Sequence, residues 1–447
     1  MAAAVALESS GAAVTLIEAR RFLGGRAGSF QDPRTDEFLD NCQHVLLGCC
    51  TNLIDFYSRI GAAHLIHFEK TIRFADGSGR HWGLAGLPGL PAPLHLGLAF
   101  AGFGLLSIKE RIEVARAMTA ILRTSPAEME KLADIPFGQW LDEHGQSPQA
   151  VRKLYDPIVI SGLNEQTRQV AASWAIKVFR DSLLVHSGGY LFGLPVCPLG
   201  KLYEQFPVRD LRLGTRLAEI RFEGRRASEV YTQDGQTFSC DALILATNHH
   251  SAANWIPKEL LANDKRFAGL DQLQSVPILG AHLWFDRPIL DTSHLALVDG
   301  PLQWLFRKDA DGRAVHGVIS AARDWLGLSK EQCLTQFERQ VQAIVPKARE
   351  AKLERGVVVI EKRATFSPLP GVDRLRPAQW PTAGGIENLY LAGDYTRTGW
   401  PATMEGAVRS GYLAAAAVMS GGMGRQASFV VPDLLPQWPA RLMSRNK

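Results

Sequence analysis

The chain has 447 residues, 46% of them hydrophobic and 21% charged, which is ordinary for a globular protein and long enough for two cores. A formal charge of +4 without a basic run excludes the electrostatic footprint that nucleic acid requires and leaves at most a weak preference for anionic surfaces. Six cysteines, Cys42, Cys49, Cys50, Cys197, Cys240 and Cys333, show no C-x-x-C spacing, so no metal site or disulfide framework is expected and reduced thiols are the default.

Residues 2–11 read as a helix closed by Gly11, and Val14 to Glu18 as a strand ending in a carboxylate. In a dinucleotide-binding βαβ unit this pair follows the G-x-G-x-x-G loop, and the acid at the end of the second strand holds the adenosine ribose hydroxyls. Glu18 fits that role. No first strand and no glycine loop stand ahead of the helix, and Met1 falls where the residue after the last glycine belongs. Such a sheet loses its central position and a pyrophosphate loses its principal helix N-terminus, so the start is expected to lie roughly 15 residues late. Gly24-Gly25-Arg26 follows the strand, and Asp40-Asn-Cys-Gln-His44 then sets four polar side chains ahead of a small apolar run. One reading of Gln43 and His44 is a pair of satisfied turn residues.

From Trp82 to Ile108 there is no Asp, Glu, Lys or Arg, but Pro88, Pro91, Pro93 and six glycines interrupt any continuous helix. Two readings stay open: a segment that dips into a membrane or walls a lipid channel, and a buried hairpin of a substrate domain. Ser107-Ile-Lys-Glu110 and Ser125-Pro-Ala-Glu128 are capping boxes that open two helices, and Ile108, Ile112, Ala115, Met118 and Leu122 make one apolar face of the first. Leu211 to Phe222 and Ala227 to Val230 read as strands, Gln233 to Gln236 as a hairpin turn, and Cys240 to Thr247 as a buried strand. Alternating runs from Val276 to about Pro370 predict a mainly antiparallel sheet. The tail after Met423, with three prolines and mixed charge, is expected to be loosely attached.

Between these last two regions, Leu389 to Ala392 is a short apolar strand stopped by Gly393, with Asp394 at its carboxyl end. From about Ala402 small residues recur at helical spacing, Gly406, Ser410 and Ala414 with Ala407 and Gly411 beside them. That face lets a helix approach a sheet or a flat cofactor closely, and Asp394 can accept hydrogen bonds from ribityl or ribose hydroxyls. The helix N-terminus at Thr403 and Met404 offers free N–H groups to a phosphate or to the anionic N1/O2 edge of a reduced flavin. A buried crossover helix is the other reading.

Gly393-Asp394 followed by W-P-A-T-M-E-G-A-V-R-S-G resembles the carboxyl-terminal FAD motif of the flavin amine oxidase and phytoene desaturase superfamily. The resemblance implies that Gly24 and Gly25 lie near the pyrophosphate, that Arg26 is available to its charge, and that backbone near Leu217 contacts the adenine. D-N-x-Q-H-V-L-L-G-C from Asp40 resembles one branch, the squalene-associated FAD-dependent desaturases or hydroxysqualene dehydroxylases, which usually carries glycine where Cys42 stands. The runs from Phe137 to Gly145 and from Leu154 to Asn164 look like the helical insert of that branch.

The implied fold class is α/β: a Rossmann-like FAD-binding domain without its N-terminal strand and glycine loop, over residues 1–75, 198–275 and 380–423. It is interleaved with an α+β substrate domain over residues 76–197 and 276–379, and a tail runs from 424 to 447. The implied activity is reduction of hydroxysqualene to squalene with loss of water, with FAD as cofactor and a long apolar isoprenoid as substrate. The expected setting is cytoplasmic and peripheral to the membrane, in association with other squalene-pathway enzymes. Asp40 and His44, the clustered acid and imidazole of a flavin-facing segment, are both candidate proton donors. A carotenoid or phytoene desaturase, another oxidase of the superfamily, and a non-catalytic partner in a terpenoid assembly are the alternatives.

Overall fold

The computed structural model describes residues 1–422 and 427–444. Helix α1 (Ala2–Ser9) buries Ala2 through Leu7, and strand β1 (Thr15–Glu18) pairs in parallel with Asp210–Leu213. A second parallel pair joins Leu243–Leu245 to Leu389–Leu391. No strand among the described residues bridges the two pairs. The helix Met404–Gly422 ties them together: Ser410 accepts the Gly393 N–H at 2.8 Å, while Gly411 lies against α1. A Cβ on Gly411 would come within 2.9 Å of both the Ala2 Cβ and the Ala3 nitrogen, so the small-residue face serves helix-on-helix approach there.

The run expected as one strand from Leu211 to Phe222 is broken at Gly214, which turns at φ +70° and donates its N–H to the Arg20 carbonyl. Leu217–Glu223 therefore belongs to a separate antiparallel sheet with Arg226–Thr232 and Thr237–Ser239.

The large sheet has seven strands in the order Leu353–Phe366, Ser275–Phe285, Ala314–Ile319, Trp304–Arg307, His294–Leu297, Thr71–Ala75 and His81–Ala85. Every neighbouring pair is antiparallel except 294–297 with 71–75. Strand 71–75, assigned by sequence to the cofactor domain, thus lies in the same sheet as 276–366. One apolar cluster, including Leu279, Leu283 and Val315, packs with the helix Lys330–Ile344, and another sets Trp304 and Phe306 among the helices of residues 94–184.

Helix α2 spans Thr51–Arg59, α3 spans Leu94–Ala101, and α4 spans Ile108–Arg123, where the Ser107/Glu110 capping box forms as read, as does Ser125/Glu128 in the next helix. The rotation of α4 corrects the sequence reading. Val114, Ala117, Ile121 and Leu122 are buried, whereas Ile108 is 70% and Ile112 49% exposed. Glu110 fixes that rotation, because it closes the capping box and takes a 3.0 Å ion pair from Lys153 on the inner side. The uncharged stretch is neither a spanning helix nor a wholly buried hairpin: α3 buries His95 and Leu96 and leaves Leu94 and Leu98 outside. Among the described residues no helix is long and apolar enough to cross a membrane.

The tail is attached, contrary to expectation. The Asn52 side chain bonds both the carbonyl and the N–H of Val431, at 2.9 and 2.8 Å, and Asp433 pairs with Arg409. Gln437 accepts from the Ala92 and Ser187 N–H groups, and Ala440 is buried in the helical core. Proline content marks the absence of regular structure, and these partners lie far away in sequence, so composition alone could not show the anchoring.

Candidate active site

Glu18 ends β1, where its carboxylate accepts the Arg20 N–H at 2.8 Å and its carbonyl accepts from Thr215. That second bond draws the chain leading to Leu217 toward the strand end. Gly24 and Gly25 both turn with positive φ, +102° and +59°. A Cβ on Gly24 would lie 2.6 Å from the Tyr203 ring and 2.7 Å from the Ala27 carbonyl, while one on Gly25 would meet nothing within 4 Å. Gly25→Ala is therefore expected to cost about 1–2 kcal/mol of backbone strain, and Gly24→Ala that strain plus about 1–3 kcal/mol of overpacking. Urea unfolding of the two variants checks the order.

Arg26 does not stand free for a pyrophosphate. Its guanidinium donates to Asp394 Oδ1 at 2.6 Å and to the Ala364 carbonyl, and the Asp394 charge raises its pKa. One ion pair thus joins the two motifs from opposite ends of the chain. Gly393 admits no side chain, since a Cβ would sit 2.5 Å from the Tyr395 ring.

Beyond Asp394 the loop is held by a residue that sequence reading missed. Arg376 is 1% exposed and donates to the carbonyls of Asp394, Thr396 and Trp400 at 3.2, 2.6 and 2.7 Å, and to Asp373 at 2.9 Å. Thr403 then caps the 404–422 helix, its hydroxyl accepting the Gly406 N–H at 3.1 Å, and the Met404 sulfur lies 3.9 Å from the Tyr57 hydroxyl. Among the described residues no group accepts from the Met404 or Glu405 N–H, so the start of the helix keeps free donors. Glu405, also missed, is fully buried and caps α2, accepting from the Asn52 and Leu53 N–H groups at 3.2 and 2.7 Å and from Arg409 at 2.6 Å.

Asp40 sits in a cluster of its own. Its Oδ1 accepts from the Ser29 hydroxyl and the Leu199 N–H, both at 2.8 Å, and its Oδ2 accepts from Lys308 at 3.0 Å. Lys308 also reaches Gln43 Oε1 at 3.1 Å. Both Asp40 oxygens are thus taken as acceptors, and the carboxyl group holds the Lys308 ammonium in place. His44 places Nδ1 3.0 Å from the Cys42 carbonyl, to which it must donate, and burial lowers its pKa. Neutral His44 therefore presents a lone pair at Nε2. Asp40 is bonded as an acceptor, His44 spends its one N–H on the Cys42 carbonyl, and Lys308 is the neighbour with a proton to give. No motif marks it; only the pairing of Trp304–Arg307 with Ala314–Ile319 brings the following residue to Asp40.

Behind Asp40 lies a histidine pair. His282 Nε2 donates to the Asp40 carbonyl at 2.9 Å, so its Nδ1 accepts from His316 Nδ1 at 3.1 Å, leaving His316 Nε2 a bare buried acceptor. Burial pushes His282 down to about 4 and His316 well below its usual value. His95, His249 and His294 are likewise lowered by burial to about 4. In the unfolded chain these rings titrate near 6.5, so between roughly 4 and 6.5 the unfolded state binds more protons. Stability is expected to be level above that window and to fall as the pH drops through it. Melting temperatures in one buffer series at pH 7.5 and pH 5 test this, and equal values would contradict it.

An acid at the end of each parallel pair, a glycine turn, and a helix start with free donors suit the ribose, pyrophosphate and ring edge of a flavin dinucleotide. Thr247, just past strand 243–245, adds a buried hydroxyl with no partner among the described residues. The residues present thus fit FAD, which Glu18, Gly24, Gly25, Leu217, Gly393, Asp394, Thr403 and Met404 would hold. The chain belongs to the flavin containing amine oxidoreductase family, whose profile matches residues 1–419, and it is an FAD-dependent oxidoreductase. Over 441 residues it is 28% identical to the hydroxysqualene dehydroxylase of Zymomonas mobilis subsp. mobilis, covering 94% of this chain and 96% of that one. It is 24% identical over 442 residues to the 15-cis-phytoene desaturase of Synechococcus elongatus, with coverage of 93% and 92%. Among solved structures, a triple mutant of putrescine oxidase shares the fold at a TM-score of 0.67 and 17% identity, covering 94% of this chain and 96% of that one. Cyclohexylamine oxidase from Brevibacterium oxydans does so at 0.66 and 17%, with 95% and 97% covered.

Proposed function

We propose that this enzyme reduces hydroxysqualene to squalene with loss of water, working in the cytoplasm at the membrane surface beside the enzymes that supply and consume these lipids. The observation that carries the reading is Lys308, held by Asp40 and Gln43 within the D-N-C-Q-H segment, in a chain similar along nearly its whole length to a hydroxysqualene dehydroxylase. Expelling a hydroxyl as water takes one proton at the leaving oxygen and one hydride at the carbon, and bound reduced FAD supplies the hydride. Lys308 Nζ gives the proton to that oxygen while the allylic carbon delocalises the charge that develops. Asp40 keeps the ammonium in place, and its own Oδ1 bonds to Ser29 and Leu199 fix it in turn. Glu18 accepts from the adenosine ribose, and Glu18→Ala is expected to weaken FAD binding by roughly a hundredfold, about 3 kcal/mol. Unchanged flavin content after gel filtration would contradict that role.

Anaerobic incubation of the FAD-reduced protein with hydroxysqualene, with squalene as the measured product, tests the reaction. Desaturation of a phytoene-type polyene is the second reading, favoured by the acceptor Nε2 of His44, which suits taking up a proton. Conversion of phytoene by the oxidised protein, with no squalene formed by the reduced one, would establish that reading instead.

A further inference from the structure

Three adjoining helices each carry their core-facing side inward and leave an apolar pair uncovered one turn apart. On α3 these are Leu94 and Leu98, 48% and 70% exposed; on α4 they are Ile108 and Ile112, 70% and 49% exposed. On the carboxyl-terminal helix Trp438–Met443 they are Trp438 and Leu442, 57% and 78% exposed. Single exposed apolar residues are unremarkable, but stripes repeated on neighbouring helices mark an interaction surface. The helices are tied to one another: Gln437 accepts from the Ala92 N–H just ahead of α3, Arg111 of α4 donates to the Ala101 carbonyl at the end of α3, and the terminal helix contacts α4.

We propose that these three stripes form a single face that inserts into one leaflet of an anionic bilayer. The charges around it favour lipid over a second copy of the chain. Lys109, Arg116 and Arg441 are exposed beside the stripes, whereas the acids of α4 are engaged, Glu110 by Lys153 and Glu113 by the Ser147 N–H and, at 3.9 Å, by Lys109 itself. A cationic rim about an apolar centre matches acidic headgroups over acyl chains, and two such rims brought together would repel. Anchoring of the tail through Asn52 and Arg409 then has a purpose, since it fixes the terminal helix against the body of the enzyme. The face deepens the function proposed above, which needs a route for an insoluble isoprenoid, but its test requires no turnover.

The test is sedimentation of the FAD-loaded protein with vesicles of phosphatidylcholine alone or mixed with phosphatidylglycerol. The parent is expected to bind the mixed vesicles and to bind phosphatidylcholine more weakly. The double variant Leu98→Glu/Leu442→Glu is expected to lose at least about tenfold in partition while keeping its flavin and melting temperature, because both side chains project from the fold. Failure of the parent to bind either vesicle, or equal binding by the variant, overturns the proposal. So does a parent dimer that the variant converts to monomer, which would make this face a self-association surface. Reduction of detergent-dispersed hydroxysqualene, scored separately, shows whether the reaction stands when the lipid face fails.

Discussion

Arg376→Met is expected to yield a protein that neither retains FAD nor keeps its stability, with a loss of about 3–5 kcal/mol in unfolding free energy. The side chain is 1% exposed, and burial lowers its pKa while Asp373 acts to raise it. Methionine fills much of the same volume, so the change removes donors more than it opens a cavity. Three backbone carbonyls between Asp394 and Trp400 would lose their charged donor inside the protein, each a group that is costly to leave unpaired. The loop they belong to carries Asp394 and leads to the start of the 404–422 helix, so relaxing it displaces both. Arg376→Lys should fall between, since an ammonium keeps the charge but cannot fork to carbonyls spread over seven residues. Flavin absorbance per protein after gel filtration, together with urea unfolding, measures both effects. Full flavin content in the methionine variant would show that the loop holds its shape without this residue.

Lys308→Met should leave FAD in place and slow the proposed reaction by roughly 10²–10⁴-fold, the usual range for removing a positioned acid. Stopped-flow oxidation of the reduced protein by hydroxysqualene reads this directly. Lys308→Arg separates the two parts this residue could play. If it only neutralises Asp40, arginine restores the rate, because a guanidinium also pairs with a carboxylate. If it gives up a proton, arginine does not, since a guanidinium stays protonated in proteins. Recovery with arginine to near the parent rate would assign Lys308 a positioning role and return the proton donor to bound water or to the substrate's surroundings.

What could be read before the fold was known is what is settled within a turn or two of chain. Glu18 ends a strand because an apolar run stops there, and Gly24 and Gly25 turn because only glycine tolerates that backbone at low cost. The capping boxes at Ser107 and Ser125 and the cap at Thr403 involve partners three residues away. The motif resemblance extended this to the family and to FAD, because its residues are contiguous. The remaining features depend on partners far apart in sequence. Lys308 meets Asp40, Arg376 grips a loop that begins eighteen residues later in the chain at Asp394, Glu405 caps α2, and His282 and His316 align across two strands. None carries a periodicity, and a buried charge is tolerable only where the assembled core brings a partner to it. The α4 apolar face was misread for the same reason: its sequence holds two apolar stripes, and Glu110 turning inward to Lys153 decides which of them is buried.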